Sequence, residues 1–243
     1  MSDFSIFNFQ LSILYMKHLL IIVTFILLGR MALAQWSVGI QGGIGYTSID
    51  RSQAGRIDET YNPLVGYDFG ITGSYALNPW FAIRADLGVM QRNHRMQRHL
   101  HYLSPVYTDH HNTYLSLPVM ADFSFGGNRL RGHLLFGAFA GYWMNQRVKG
   151  VTYGMTDYEV FFNEFDIPKD FSSTDLRLNA GLVGGAALSY CLNNSFDLSL
   201  NALFYYDLVS HYIGYAALQD YRYLNTAAIT LGLSYHLPSN QNQ

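Results

Sequence analysis

From Trp36 onward, apolar and polar residues alternate with a period of two, the repeat of a β-strand whose two faces meet different surroundings. The pattern predicts eight strands. In Trp36 to Thr47, the residues Trp36, Val38, Ile40, Ile44 and Tyr46 share one face; Ser37, Gly39, Gln41, Gly43, Gly45 and Thr47 share the other. Leu64 to Leu77 sets Val65, Tyr67, Phe69, Ile71, Tyr75 and Leu77 against Asp68, Gly70, Thr72 and Ser74. A third run beginning at Phe81 opposes Ile83, Leu87 and Val89 to Arg84, Asp86 and Arg92, and Tyr114 to Phe125 repeats the scheme. The fifth run, Leu130 to Gln146, leaves its faces ambiguous because Phe136 and Phe139 differ in parity. Asp175 to Tyr190, Phe196 to Asp207 and Thr226 to Leu237 complete the set. No segment after Gln35 shows the helical period.

The connections predict how these strands are joined. Asn78-Pro79, Gly126 to Arg129 and Asn193-Asn194 are short and rich in turn formers. Ser48 to Pro63, His94 to Asn112, Arg147 to Thr174 and Ser210 to Leu224 are long and polar, and the two kinds alternate. An even number of antiparallel strands with short turns at one end and long loops at the other describes a transmembrane β-barrel, with both termini in the periplasm. Strands of about nine to eleven residues cross a bilayer. A soluble barrel of the lipocalin kind also closes eight strands, but its inner faces are apolar and its outer faces polar. Here one set of faces is nearly free of charge and the other carries Gly, Ser, Thr, Asn and a few ionic groups, which places lipid outside. Trp36, Tyr46, Tyr75, Trp80, Tyr190, Tyr206 and Tyr235 sit near predicted strand ends, where interfacial aromatic girdles belong. The expected fold is therefore all-β, an eight-stranded antiparallel up-and-down transmembrane barrel.

Composition supports this. Charged residues make up 13% of the chain and aromatics 16%, whereas soluble domains carry about twice that charge. Mean hydropathy is +0.04, as expected when apolar and polar faces cancel. A formal charge of −2 without a basic block gives no reason to expect nucleic acid. Cys191 is the single cysteine and excludes an internal disulfide. Met16-Lys17-His18, the apolar run Leu19 to Leu28 and the small-residue site Ala32-Leu33-Ala34 have the order of a secretory signal, with cleavage expected after Ala34. The apolar run falls short of the roughly twenty residues a spanning helix needs. Residues 1–34 are accordingly expected to be removed, with Met16 as the true initiator, and residues 35–243 to form the barrel.

The polar faces define the candidate chemistry. Asp68, Arg84, Asp86, Asp122, Arg177, Asp197 and Asp207 are expected in the barrel interior as a charge network. An eight-stranded bore has room only for its own side chains, and unpaired charges there cost several kcal/mol, so they should pair. The second long loop gathers His94, His99, His101, His110 and His111 with Arg92, Arg95 and Arg98. Such a segment is more often a solvated face or a contact to anionic lipopolysaccharide than a transition-metal site, and the spacing matches no fixed metal motif. Ser104, Asp109, His110, Ser210 and His211 lie near the expected rim, but no spacing among them is diagnostic, because catalytic triads are set by geometry and not by sequence order. The third long loop combines Asp157, Glu159, Glu164, Asp166 and Asp170 with Tyr153, Tyr158, Phe161, Phe162, Phe165 and Phe171, a pattern for folding onto the rim or binding a partner.

Three stretches carry a family resemblance. Tyr114-Leu-Ser-Leu-Pro-Val-Met-Ala-Asp-Phe123, Leu134-Leu-Phe-Gly-Ala-Phe-Ala-Gly-Tyr142 and Asn179-Ala-Gly-Leu-Val-Gly-Gly-Ala-Ala-Leu-Ser-Tyr190 resemble, in order, successive strands of the PorT-like outer-membrane β-barrels of Bacteroidota. The fifth strand departs from that family in having Ala138 after Gly137, where Pro is usual. The resemblance implies an integral outer-membrane barrel, with one branch tied to secretion and gliding machinery. The function expected is that of a structural or interaction protein. A narrow porin-like transporter is the alternative, and a lipid-modifying enzyme comes third. Outer-membrane lipid, lipopolysaccharide and a protein partner at the loops are the expected contacts; no cofactor is expected.

Overall fold

Backbone placed in lipid has no water to satisfy its N–H and C=O groups, so strands there must be paired on both sides. The computed structural model describes residues 35–51, 59–98, 106–156, 159–173, 175–211 and 221–238. The leader expected over residues 1–34 lies outside them. Ten strands are described: β1 (Gln35–Arg51), β2 (Glu59–Asn78), β3 (Phe81–Gln91), β4 (His94–Arg98), β5 (Val106–Gly126), β6 (Leu130–Met155), β7 (Val160–Pro168), β8 (Leu178–Cys191), β9 (Phe196–Asp207) and β10 (Arg222–His236). Eight of them close a ring, each antiparallel to both neighbours, in the order β1, β2, β3, β5, β6, β8, β9, β10 and back to β1. The barrel expected from the alternation is present.

The faces follow the alternation. Ile44 pairs with Ile229, Ile40 with Leu233 and Leu200 with Leu231, all pointing outward. Ile40 is 64% exposed, Leu231 60% and Phe136 57%. A belt of such residues around the whole wall would be insoluble in water and is suited to lipid. The short turns are built by their side chains. Asn78 Oδ1 accepts from the Trp80 amide at 3.1 Å, and Asn193 Oδ1 accepts from the amides of Ser195 and Phe196 at 2.9 and 2.8 Å. Gly126 takes φ of +117°, a conformation side-chain-bearing residues avoid.

Three features depart from the sequence expectation. First, the segment His94 to Asn112 is not a simple loop: β4 continues the line of β3 and pairs with both β2 and the first residues of β5, which begins at Val106 rather than Tyr114. Secondly, β6 runs to Met155 and turns back as β7, so the third long connection contains a hairpin. These extensions stand beyond the apolar belt, where no lipid imposes alternation. Ion pairs cross them instead, Arg95 to Asp109 at 2.6 Å and Arg147 to Asp166 at 2.6 Å. Thirdly, β8 starts at Leu178, not at Asp175. From Arg147 upward the edge of β6 is taken by β7, so residues before Leu178 leave the sheet.

The ambiguous faces of β6 also resolve. Tyr114 pairs with Trp143 but Thr113 pairs with Asn145, leaving Met144 as a bulge. Below it Leu135, Phe139 and Trp143 point inward and Phe136 outward; above it Gln146 and Val148 point inward. The bulge shifts the inward set from odd to even positions.

Candidate functional site

The interior side chains form successive tiers, which can be followed along β9 from Asp197 through Asn201, Leu203 and Tyr205 to Asp207. At the end of the short turns, Asp122 lies 2.8 Å from His133 Nδ1, and His133 Nε2 is 2.9 Å from Ser189 Oγ. Asp197 lies 2.6 Å from His236 Nε2. Both pairs line a cavity of about 90 Å³ with Ser37, Ser74, Ser199 and Ser234. Ser189, His133 and Asp122 have the order of a nucleophilic relay. The backbone around Ser189 is paired on both sides, so it offers no pair of free N–H groups to hold an oxyanion.

Above this tier each nitrogen of the Arg84 guanidinium is engaged. Its Nε contacts Asp86 at 2.9 Å, Nη1 donates to Asn201 Oδ1 at 2.9 Å and Nη2 to Gln41 Oε1 at 2.8 Å. Gln41 returns a bond to Asp86 at 3.2 Å, and Asn201 donates to Thr230 at 3.1 Å. Asp68 is buried within electrostatic reach of Asp86. Among the described residues no hydrogen bond or ion pair reaches its carboxylate. Next comes an apolar plug of Met90, Met120, Leu135, Phe139, Val183, Ala187, Leu203, Tyr205 and Ala228. The polar-face rule did not foresee this tier.

The second polar tier centres on Asp207. Arg92 Nη1 lies 2.9 Å from its Oδ1, with side-chain exposures of 2% and 0%. Arg92 Nε donates to Thr226 Oγ1 at 2.9 Å, and Nη2 donates to the Leu224 carbonyl. His211 Nε2 donates to Asp207 Oδ2 at 2.6 Å, and its Nδ1 lies 3.3 Å from the Tyr114 hydroxyl. The sequence puts Arg92 both on the polar face with Arg84 and Asp86 and beside the basic loop; the structure places it inside. Arg177, expected in the interior set, lies instead at the rim. Its guanidinium sits over the rings of Tyr142 and Phe171, at 4.6 and 4.3 Å, and donates to the carbonyls of Trp143 and Met144.

Above Asp207 a pocket of about 50 Å³ is lined by Ile49, His94, His110, Asn112, Tyr114, Trp143, Gln146, Lys169, His211, Arg222 and Leu224. Tyr114 and Trp143 stack 5.8 Å apart at 11° as its floor. His94 and His110 face each other across β4 and β5 with rings 4.7 Å apart and 12° from parallel. Imidazole lone pairs lie in the ring plane, so stacked rings do not converge on one ion. Among the described residues no group of three or more potential metal ligands occurs. His111 falls on the opposite face, across from Arg147; His99, His101 and Ser104 lie outside the described residues. Burial holds His94 well below the ordinary histidine range, and positive neighbours lower it further. Burial, then the charges of Lys169 and Arg222, pushes His110 down to about 4.

A closed ring of eight strands with an apolar exterior and a polar, filled interior defines an integral β-barrel of the outer membrane. The family described as outer membrane protein beta-barrel domain matches residues 30–210, and the chain belongs to it. No curated protein sequence matches the chain significantly. Among solved structures it is similar to OprG of Pseudomonas aeruginosa, at 14% identity and a TM-score of 0.47, over 84% of this chain and 96% of that one. The attachment invasion locus protein Ail of Yersinia pestis matches at 13% identity and 0.41, over 83% and 98%. Neisserial surface protein A matches at 13% and 0.40, over 82% and 96%.

Proposed function

We propose that this outer-membrane barrel is a non-conducting structural and interaction protein whose loop-end hairpins meet a partner. The observation that carries the reading is the filled bore. The apolar plug, with Leu135 fully buried, lies between the Arg84–Asp86 and Arg92–Asp207 pairs. A solute would have to displace all three tiers, and separating a buried ion pair costs about 3 to 5 kcal/mol. Beyond the belt, the β6–β7 hairpin exposes Met155, Val160, Phe161, Phe162 and Ile167 beside the acidic residues Glu164 and Asp166. Large exposed apolar side chains with a charged border are suited to a protein contact. The loop end then faces the cell exterior and both termini face the periplasm. The PorT-like resemblance nominates a component of secretion machinery as the partner. Lipid and lipopolysaccharide surround the wall.

The experiment has two arms. Reconstituted in a planar bilayer, the barrel should give no steady conductance; stable openings would instead support the porin-like alternative. In a pull-down from native outer membranes, secretion-machine components should be recovered with the intact barrel and lost when residues 151–164 are replaced by a short turn. Recovery that is unaffected by that replacement would overturn the assignment of the hairpin.

A further inference from the structure

We propose that the loop-end pocket between β4, β5 and β10 is a binding site for phosphate, free or as a monoester, held by Lys169, Arg222, His94 and Asn112. His94 Nδ1 and Asn112 Oδ1 are buried on its wall and find no hydrogen-bond partner among the described residues. His94 is 7% exposed and Asn112 1%. An unsatisfied buried polar atom is costly, so the site favours a polar guest. The orientation of Asn112 is set independently, because its Nδ2 donates to the Arg92 carbonyl at 2.9 Å. Its Oδ1 is therefore an acceptor that needs a donor from the guest.

The charge points to an anion. Lys169 and Arg222 line the pocket, and no carboxylate among the described residues does. Asp207 beneath it is already held by Arg92, His211 and the Leu224 amide. The same positive field contributes to keeping His94 and His110 neutral. Inorganic phosphate at neutral pH carries negative charge for the cations and a P–OH proton for Asn112, and a monoester offers the same proton when bound as its monoanion. Sulfate carries the charge but no proton, so the pocket should separate the two ions. A volume of about 50 Å³ exceeds the roughly 30 Å³ share of one water and suits a single tetrahedral group whose remaining body projects outward over Lys169.

This inference does not depend on the hairpin having a protein partner. The test uses the refolded full barrel in a phosphate-free maltoside detergent, with folding verified by its gel mobility. Inorganic phosphate and sulfate are titrated separately at equal ionic strength and followed by calorimetry. Phosphate should bind, and sulfate should bind roughly tenfold more weakly or worse, the worth of one such hydrogen bond. Lys169→Ala, an exposed position that should not affect folding, should weaken phosphate roughly tenfold, and Lys169→Arg should restore most of it. Absence of phosphate binding by folded protein, equal affinity for the two ions, or indifference to Lys169→Ala would each overturn the site. Competition by lipopolysaccharide that disappears on its dephosphorylation identifies a headgroup as the phosphate's source; no competition identifies a free solute. Both outcomes support a phosphate site.

Discussion

Arg92 and Asp207 show how one buried pair can organise an end of the bore. The carboxylate accepts from Arg92, His211 and the Leu224 amide, so its loss strands a guanidinium and an imidazole together. Asp207→Asn should destabilise the folded barrel by about 3 to 5 kcal/mol, measured as a lower urea midpoint in refolding titrations. Arg92→Leu combined with Asp207→Leu should recover much of that loss, because removing both partners leaves no orphaned charge. An equally large loss in the double variant would show that the tier's other hydrogen bonds matter more than its charges. On the outer wall the relevant cost is transfer into lipid. Leu231→Arg or Leu200→Arg should cost about 2 to 4 kcal/mol and hinder assembly, while Ser199→Ala, on the inner face, should refold with nearly wild-type yield. Thr230 is a poorer inward control than the alternation alone implies, since it accepts from Asn201.

At the scale of the element, β4 and the first part of β5 act as a hairpin that carries two neutral histidines, His94 buried and His110 partly so. Its stability should depend on pH with a definite sign. Unfolded, His110 binds a proton below roughly 6.5; folded, it resists protonation until about 4. The unfolded state therefore holds more protons between those values, and stability falls as pH drops through the window. For His110 alone the full loss is about 3 kcal/mol, and His94, lowered by its burial, adds in the same direction. Hydrogen-exchange protection of β4 and residues 106–112, measured in phosphate-free buffer, should decrease from about pH 7 to about pH 5. His110→Gln should reduce that decrease. Protection that does not change would show that the hairpin holds its histidines in a wetter setting than their burial indicates. The histidines themselves were legible as a cluster in the sequence. Their strand pairing was not, because β4 and the upper part of β5 stand clear of lipid and carry no apolar stripe.

For the whole molecule the governing fact is closure. Every strand of the ring has two partners, so no edge is left to fray, and unfolding must break the ring at two seams at once. The barrel should therefore remain folded in unboiled SDS and migrate differently after boiling. Identical migration in both conditions would count against a closed ring. Closure also explains why glycine is obligatory at particular inward sites. A Cβ at Gly137 would stand 2.0 Å from the Val119 carbonyl oxygen on the neighbouring strand, where the narrow bore brings backbones together.

The sequence by itself determined the ring of eight, its outward faces and the turn ends. A period-two pattern beside lipid must be legible in each strand separately, since each residue answers to bilayer or bore alone. Only the tertiary structure decided which interior groups meet. Arg84 finds Asn201 across 117 positions, and Arg92 finds Asp207 because both ends happen to reach the same height on opposite walls. It also decided that Phe139 turns inward, that the bulge at Met144 moves the inward set to even positions above it, and that Arg177 stays at the rim, because β7 displaces the chain before Leu178. The phosphate pocket belongs to this second class. Lys169, Arg222, His94 and Asn112 come from four separate stretches of chain, and no local periodicity records the distances that a closed, sheared barrel imposes between them.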